Sequence, residues 1–147
     1  MRLRPLIWLL ALLLFASQAG ALEFRSVKDS GSILYDAPAL SAQKLFVVSR
    51  YYPVEVLSTQ GSWSRVRDAT GAIAWMQTAQ LSAHRMLLVV SDLANVRVSG
   101  SASAALAFSV PRNGVLQLLE APADSWVHVR HQDGSTGYAN IKDLWGL

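Results

Sequence analysis

The sequence predicts an all-β protein made of two small barrels in tandem, and three observations support this fold class. The chain has 147 residues, which bounds it at one ordinary domain or two small ones, because domains typically take about 100–200 residues. Beyond its first 21 residues the chain repeats itself, in two copies of about 60 residues each. Short runs of strand-forming residues recur in both copies, and no stretch sustains a helical apolar period for three turns.

The repeat is clearest around Trp63 and Trp126, which are 63 positions apart. At this offset 6 of the 20 positions from 62 to 81 are identical, where average composition gives about one. The retained pairs are a tryptophan, a turn glycine, core aliphatics and two polar residues: Ser62 with Ser125, Trp63 with Trp126, Val66 with Val129, Arg67 with Arg130, Gly71 with Gly134, and Leu81 with Leu144. Two copies therefore fill the chain from residue 22 onward and are joined near residues 83–85.

Other parts of the repeat need a different offset. The offset of 63 also places Ile33 on Val96, whereas an offset of 62 aligns Phe46 with Phe108. Both phenylalanines are expected in the cores. The two offsets together predict a deletion and a compensating insertion in loops.

Each copy contains a hairpin that begins at its tryptophan. The runs 63–67 and 126–130 are rich in strand formers, and each is followed by a glycine turn and a second short strand, at 73–76 and 136–139. Further strands are predicted at 24–27, 33–35, 45–48, 54–57, 86–90, 95–98, 106–110 and 115–119. Closely spaced short strands favour a small barrel, which removes exposed sheet edges.

Strand alternation assigns the faces of the two hairpins. Val66 lies on the opposite face from Trp63, and Val129 lies on the opposite face from Trp126. We therefore expect both valines in the two cores and both tryptophans on the outer faces.

These residues resemble a known family. The pattern Trp-x-x-Val-Arg, a glycine turn, then a small residue and an aromatic one is similar to that of bacterial SH3 domains, as is the run 94–97, Ala-Asn-Val-Arg. The resemblance covers nearly all of residues 22–147 and implies two tandem small SH3-like β-barrels, at 22–83 and 86–147, each with a short 3₁₀ turn, at 77–81 and 140–144. Exported members of the family are usually non-catalytic modules that bind peptides or cell-wall material.

The resemblance also implies candidate ligand-binding residues. The tryptophan of the pattern matches the position that lines the peptide groove of eukaryotic SH3 domains, where aromatic faces receive an extended chain. In the first copy Trp63 has further candidates beside it in the sequence pattern: Tyr35, Asp36, Tyr51 and Tyr52. In the second copy Trp126 is the only candidate, because Val98 and Ser99 stand in place of the Tyr-Asp pair. The alternative is that both tryptophans only cover the sides of their barrels.

Residues for catalysis and metal binding are sparse. The chain has no cysteine, so a cysteine nucleophile, a disulfide and a lipid-modified cysteine are impossible within it. It also lacks a Gly-x-Ser-x-Gly elbow, a His-Glu-x-x-His motif and a glycine-rich phosphate loop. His128 and His131 are three positions apart, so a regular strand points them in opposite directions. We expect no catalytic residues, no metal and no cofactor, and hence no enzyme.

Residues 1–21 have the three parts of a secretory signal peptide. Arg2 and Arg4 form a basic start, residues 6–16 are an apolar run of eleven, and Ala19 and Ala21 are small residues suited to cleavage. The alternative, a membrane-spanning helix, needs about 20 apolar residues. We expect cleavage after Ala21, a periplasmic or secreted location, and membrane contact only transiently through the signal peptide.

The composition restricts the partners. Apolar residues are 52% of the chain and charged residues 16%, against typical values of about 45–50% and about 25%, which excludes a disordered protein. Beyond residue 21 there are 11 Lys and Arg against 10 Asp and Glu, a net charge of 11 − 10 = +1. The basic residues are scattered, so no nucleic-acid partner is expected. The predicted function is an exported binding module for a peptide, peptidoglycan or an envelope protein, and the alternative is a structural or assembly factor of the cell envelope with no ligand groove.

Overall fold

The computed structural model describes residues 21–147, so the signal peptide predicted at 1–21 lies outside the described residues except for its last position. The described chain consists of fourteen short strands and two 3₁₀ turns. The strands of the first domain are β1 (Phe24–Val27), β2 (Ser32–Tyr35), β3 (Lys44–Val48), β4 (Pro53–Gln60), β5 (Trp63–Arg67), β6 (Ile73–Gln77) and β7 (Leu81–Ser82). Those of the second are β8 (Met86–Val89), β9 (Leu93–Arg97), β10 (Leu106–Pro111), β11 (Val115–Leu118), β12 (Trp126–Arg130), β13 (Thr136–Asn140) and β14 (Leu144–Trp145).

The two domains have the same sheet topology. The first sheet has the strand order β3-β2-β6-β5-β4-β1-β7, and the second has the order β10-β9-β13-β12-β11-β8-β14. A 3₁₀ turn precedes the last strand in each, at Thr78–Gln80 and Ile141–Asp143. The predicted all-β class and the two tandem domains are confirmed. Each seven-stranded sheet is open rather than closed into a ring. Its edge strands are β3 and β7 in the first domain, and β10 and β14 in the second.

Each sheet wraps around a core of its own. Side chains from non-adjacent strands of one sheet meet in a single cluster, which requires the sheet to curl. In the first domain the buried members are Val27, Leu34, Val54, Val66, Ala74 and Met76. In the second they are Leu87, Val89, Ala94, Val96, Val110, Leu116, Val127, Val129, Ala139 and Leu144.

The predicted facing of the two hairpins is confirmed. Val66 is 1% exposed and Val129 is 0% exposed, whereas Trp63 and Trp126 are half-buried on the other side of their strands. Within the described residues, no helix has the length and apolar character needed to cross a membrane.

The core assignment of Phe46 is wrong, and its counterpart shows why. Phe46 is 46% exposed on the edge strand β3. Phe108, at the same place in β10, packs against the second core, and its ring lies 5.9 Å from that of His131. The first domain has Asp68 where the second has His131, and the Asp68 carboxylate accepts hydrogen bonds within its own turn, from Thr70 and Ala72. Phe46 therefore lacks the ring that borders Phe108.

Equivalent backbone hydrogen bonds define the repeat register. Tyr51 N–H donates to the Val27 carbonyl (2.8 Å), and Asn113 N–H donates to the Val89 carbonyl (2.9 Å), an offset of 62. After the hairpin loop the offset is 63, since Asp68 N–H donates to Ala72 O and His131 N–H donates to Ser135 O. The second copy therefore has one extra residue, in the loop between β11 and β12.

The alignment of Ile33 with Val96 is consequently wrong by one residue. Leu34 pairs with Phe46, and Val96 pairs with Phe108. Leu34 is thus the counterpart of Val96. The counterparts of the Tyr35-Asp36 pair are Arg97 and Val98, rather than Val98 and Ser99.

The two domains pack against each other. The Phe24 and Trp145 rings meet edge to face, with centroids 5.2 Å apart, and the Arg85 guanidinium lies 5.5 Å from the Phe24 centroid. The same guanidinium donates to the Gly146 carbonyl at 2.8 Å. The Ser26 hydroxyl donates to the His84 carbonyl at 2.7 Å. The linker is therefore held by both domains.

Candidate functional site: an aromatic pair and a cleft between the domains

Two aromatic rings meet on the outer face of the first domain. Trp63 begins β5 and Tyr35 ends β2, and their ring centroids are 5.4 Å apart at an interplanar angle of 85°. Tyr35 points away from the core because its neighbour Leu34 occupies the core. It is nevertheless only 7% exposed, so Tyr35 supports Trp63, and the half-buried indole provides the accessible surface.

Asp36 borders this pair and closes the loop that follows β2. Its carboxylate accepts the Gln43 N–H at 3.0 Å, and its own N–H donates to the Gln43 carbonyl at 3.0 Å. Asp36 remains exposed. A negative charge thus lies next to the aromatic pair, on a loop whose ends are fixed.

Tyr51 and Tyr52 lie at the other end of β4 from this pair. Trp63 pairs with Gln60 at the end of β4, whereas the two tyrosines precede its first residue. Eight residues of strand correspond to roughly 20 Å or more. The structure therefore brings Trp63 into contact with Tyr35. Asp36 follows Tyr35 in the chain, and the two tyrosines lie elsewhere.

The two tyrosines have different surroundings. Tyr51 has a left-handed φ of 72°, and its ring lies 4.7 Å from the Arg50 guanidinium carbon. Tyr52 packs against the first core. Burial raises the pKa of Tyr52, and the negative charge of Asp68 raises it further.

The tryptophan of the second domain has different neighbours. Gly100 lies so close to Trp126 that a Cβ there would stand 3.2 Å from the Trp126 Cβ. Arg97, the counterpart of Tyr35, donates to the Ala104 carbonyl at 2.9 Å. The side chains of Arg97 and Trp126 line a pocket of about 130 Å³. Trp126 is half-buried, as Trp63 is. It differs in that the Gly100 backbone lies against it and its neighbour in the pocket is a cation rather than an aromatic ring.

The histidines of the second domain do not converge. His128 stacks on Tyr138 at 4.7 Å and contacts Glu120 at 3.2 Å, whereas His131 contacts Asp133 at 3.2 Å. Among residues 21–147, no group of three His, Cys, Asp or Glu side chains is placed to hold a metal ion.

A cleft of about 560 Å³ between the domains was not predicted. Tyr51 and Arg50 line it from the first domain, and Arg130 and His131 line it from the second. The sequence contains a signal for this site, because acidic residues of one repeat are replaced by other residues at the equivalent positions of the other. This signal is visible once the repeats are aligned at an offset of 62 before the loop between β11 and β12 and 63 after it.

Among solved structures, three similar chains belong to proteins that are longer than this one. NlpC2 and NlpC1 from Trichomonas vaginalis are 18% and 16% identical to it, with TM-scores of 0.39 and 0.38. The matches cover 85% and 88% of this chain and 48% and 47% of theirs. An NlpC/P60 family protein from Bacillus cereus ATCC 10987 is 16% identical, with a TM-score of 0.36, and the match covers 84% of this chain and 56% of that one. The chain thus spans about half the length of these structures. No curated protein matches it.

Two family models match the chain in adjacent ranges. One described as a bacterial SH3 domain matches residues 30–82, and a second with the same description matches residues 90–146. Each range lies within one of the two sheets. The chain therefore belongs to the bacterial SH3 domain family and contains two such domains in tandem.

Proposed function

We propose that the protein is an exported, non-enzymatic binding module that recognises a peptide segment, presented by an envelope protein or by peptidoglycan, on the outer face of its first domain. The observation that supports this function is the Trp63–Tyr35 pair, 5.4 Å apart. Large, rigid aromatic rings supply contact area with little loss of conformational entropy, and they are common binding anchors.

The contrast between the domains favours the first as the ligand-binding one. Trp63 lies beside an aromatic ring and the exposed carboxylate of Asp36, whereas Trp126 has the Gly100 backbone against it. A peptide carrying a basic group would find an aromatic pair and the exposed carboxylate of Asp36 at the first site. The pocket beside Trp126 holds two cations, Arg97 and Lys142, together with Asp143.

The absence of cysteine supports a non-enzymatic role, since no residue of the 147 is able to act as a thiolate nucleophile. Export rests on the signal-peptide pattern of residues 1–21. The domains implied by the repeat, 22–83 and 86–147, follow this segment.

A second function, a structural or assembly factor of the cell envelope, is favoured by the contact between the domains. Phe24, Arg85 and Trp145 join the domains through an edge-to-face contact, a cation–π contact and a hydrogen bond. Two domains held together in this way act as a spacer, which needs no ligand groove.

Two assays separate these functions. Protein comprising residues 22–147 is sedimented with purified peptidoglycan, and in parallel is used to capture partners from envelope extract. If the module binds a peptide segment, Trp63→Ala loses the captured species, whereas Trp63→Phe, which keeps an aromatic ring against Tyr35, retains much of it. Equal capture by wild type and Trp63→Ala would favour the structural role. Binding in only one of the two assays identifies the source of the peptide: peptidoglycan in the sedimentation, an envelope protein in the capture.

A further inference from the structure

We propose that the cleft between the two domains binds a small anionic ligand through its carboxylate or phosphate groups, held between Arg50 of the first domain and Arg130 of the second. His84 and His131 also line the cleft, and no carboxylate of residues 21–147 does. This site is separate from Trp63 and does not depend on the function proposed above.

The repeat counterpart of Arg50 has an acidic partner that Arg50 lacks. At an offset of 62 the counterpart is Arg112, whose guanidinium contacts the Asp92 carboxylate at 2.9 Å. The residue that corresponds to Asp92 in the first domain is Ser30, whose hydroxyl accepts the Arg50 backbone N–H at 3.0 Å. The first domain thus has the same arginine and the same turn as the second, but a serine in place of the aspartate.

Arg130 shows the same loss on the other wall. At an offset of 63 its counterpart is Arg67, which contacts the Glu55 carboxylate at 3.2 Å across the β4–β5 ladder. Arg130 lies opposite Gln117 in the β11–β12 ladder, and Gln117 is the residue equivalent to Glu55. Gln117 also lines the cleft. A neutral amide thus takes the place of the carboxylate.

A third acid is replaced at the same cleft. His131 stands where the first domain has Asp68, and it lines the cleft. Asp133 contacts His131 at 3.2 Å without lining the cleft. Lys28 lies in an adjoining depression of about 180 Å³, shared with Arg50 and His84.

The two arginines therefore make the walls positive, and among the described residues the nearest carboxylate in contact with the lining is that of Asp133, next to His131. The protein as a whole is nearly neutral beyond residue 21, at 11 − 10 = +1, so the concentration of positive charge is local. Guanidinium groups pair with carboxylate and phosphate oxygens by two parallel hydrogen bonds, and a concave site strengthens the attraction.

The dimensions indicate a small ligand rather than a folded partner. The volume of about 560 Å³ falls in the range of about 300–1,000 Å³ that is usual for small-molecule sites. The Tyr51 ring and the Met86 side chain supply apolar lining between the charged groups. An anion with two or more acidic groups offers one group to each arginine.

Citrate and pyrophosphate are the probes, because one presents carboxylates and the other phosphates. Each is titrated calorimetrically into residues 22–147, the part that contains both sheets, and amide shifts are followed by NMR. We expect one saturable site with a dissociation constant of about 1 mM or tighter for at least one probe. The shifts are expected around Tyr51, Met86 and Gln132. Binding of only one probe identifies the acidic group.

Four variants and a matched control test the assignment. Arg50→Gln and Arg130→Gln each weaken binding about tenfold or more, and Ser30→Asp or Gln117→Glu, which supply the missing carboxylates, weaken it to a similar degree while both arginines remain. Arg112→Gln, the equivalent change outside the cleft, leaves affinity within about twofold of wild type. Absence of saturable binding by both probes, or an equal loss in Arg112→Gln, would overturn the site.

Discussion

Gly137 of β13 lies so close to the carbonyl oxygen of Arg97 in β9 that a Cβ atom at position 137 would stand 2.7 Å from it, and 2.7 Å from the Val96 Cγ1. The corresponding residue of the first domain is Ala74, buried at 4% exposure. The two sheets therefore share a topology but differ in how closely the backbones of these strands approach.

Gly137→Ala is expected to destabilise the protein by about 1–3 kcal/mol, because the added methyl group must push backbone atoms apart. Thermal melting measures the loss, since about 1 kcal/mol lowers the melting temperature of a domain of this size by about 4–8 °C. Ser135→Ala, in the exposed turn before β13, serves as the control and should melt close to wild type. A Gly137→Ala protein as stable as the control would contradict the close approach.

Val66→Asp and Val129→Asp each place an unpaired carboxylate in a core. The expected cost is several kcal/mol, comparable to the whole stability of a small domain. Arg65→Asp, on the outer face of β5, is the matched control because its side chain faces solvent. Melting of either core variant within about 2 °C of wild type would contradict the facing of the hairpins.

Trp63→Ala is expected to weaken binding of a captured peptide by more than about 1 kcal/mol. The same change at Trp126 should have a smaller effect, because Arg97 rather than an aromatic ring shares its pocket. Calorimetric titration of both variants with the same peptide gives the comparison. The site assignment fails if the two losses are equal or reversed, or if Trp63→Ala is unfolded.

Tyr52→Phe is expected to reduce the loss of stability at alkaline pH. Burial, followed by the charge of Asp68, raises the pKa of Tyr52 in the folded state. A folded pKa above the unfolded value of about 10 means that the contribution is fully present below about pH 10 and is lost as the pH rises through the folded pKa. Denaturant unfolding at pH 7 and at stepwise higher pH is the measurement. A slope above pH 10 that is the same in both proteins would refute the assignment to Tyr52.

The exported protein is expected to begin at Leu22. Small residues at positions 19 and 21 and a short apolar run favour cleavage there. Intact-mass measurement of protein recovered from the envelope fraction gives the N-terminus. A mass that retains residues 1–21, in protein held by the membrane, would refute cleavage.

Strands with strict alternation were predictable from the sequence. The bounds of Trp63–Arg67 and Trp126–Arg130 agree with prediction to the residue, because a pleated strand with one buried face fixes which side chains are apolar. The alignment of β2 with its repeat counterpart β9 was not predictable from residue identity. One extra loop residue shifts the offset, and only the hydrogen-bond pairing shows that Arg97 stands in place of Tyr35.

The candidate site was predictable in part. Trp63 and Tyr35 meet, as the sequence resemblance implied, because both lie on outer faces of neighbouring parts of one sheet. Tyr51 and Tyr52 do not join them, because they precede β4 whereas Trp63 lies at its other end. A list of aromatic residues does not show that distance. The cleft depends on contacts between domains, and a sequence pattern does not show which arginines two domains turn toward each other.

The burial of β8 on both faces has a consequence for cooperativity. Leu87 and Val89 belong to the second core, whereas Met86 and Leu88, 5% and 4% exposed, lie on the opposite face, and β8 contacts β4 of the first domain. A second domain excised at the linker would expose this apolar strip to water, at a cost that grows with the area uncovered. The two domains should therefore unfold as one thermodynamic unit, and an isolated second domain should be less stable than the same residues within the pair.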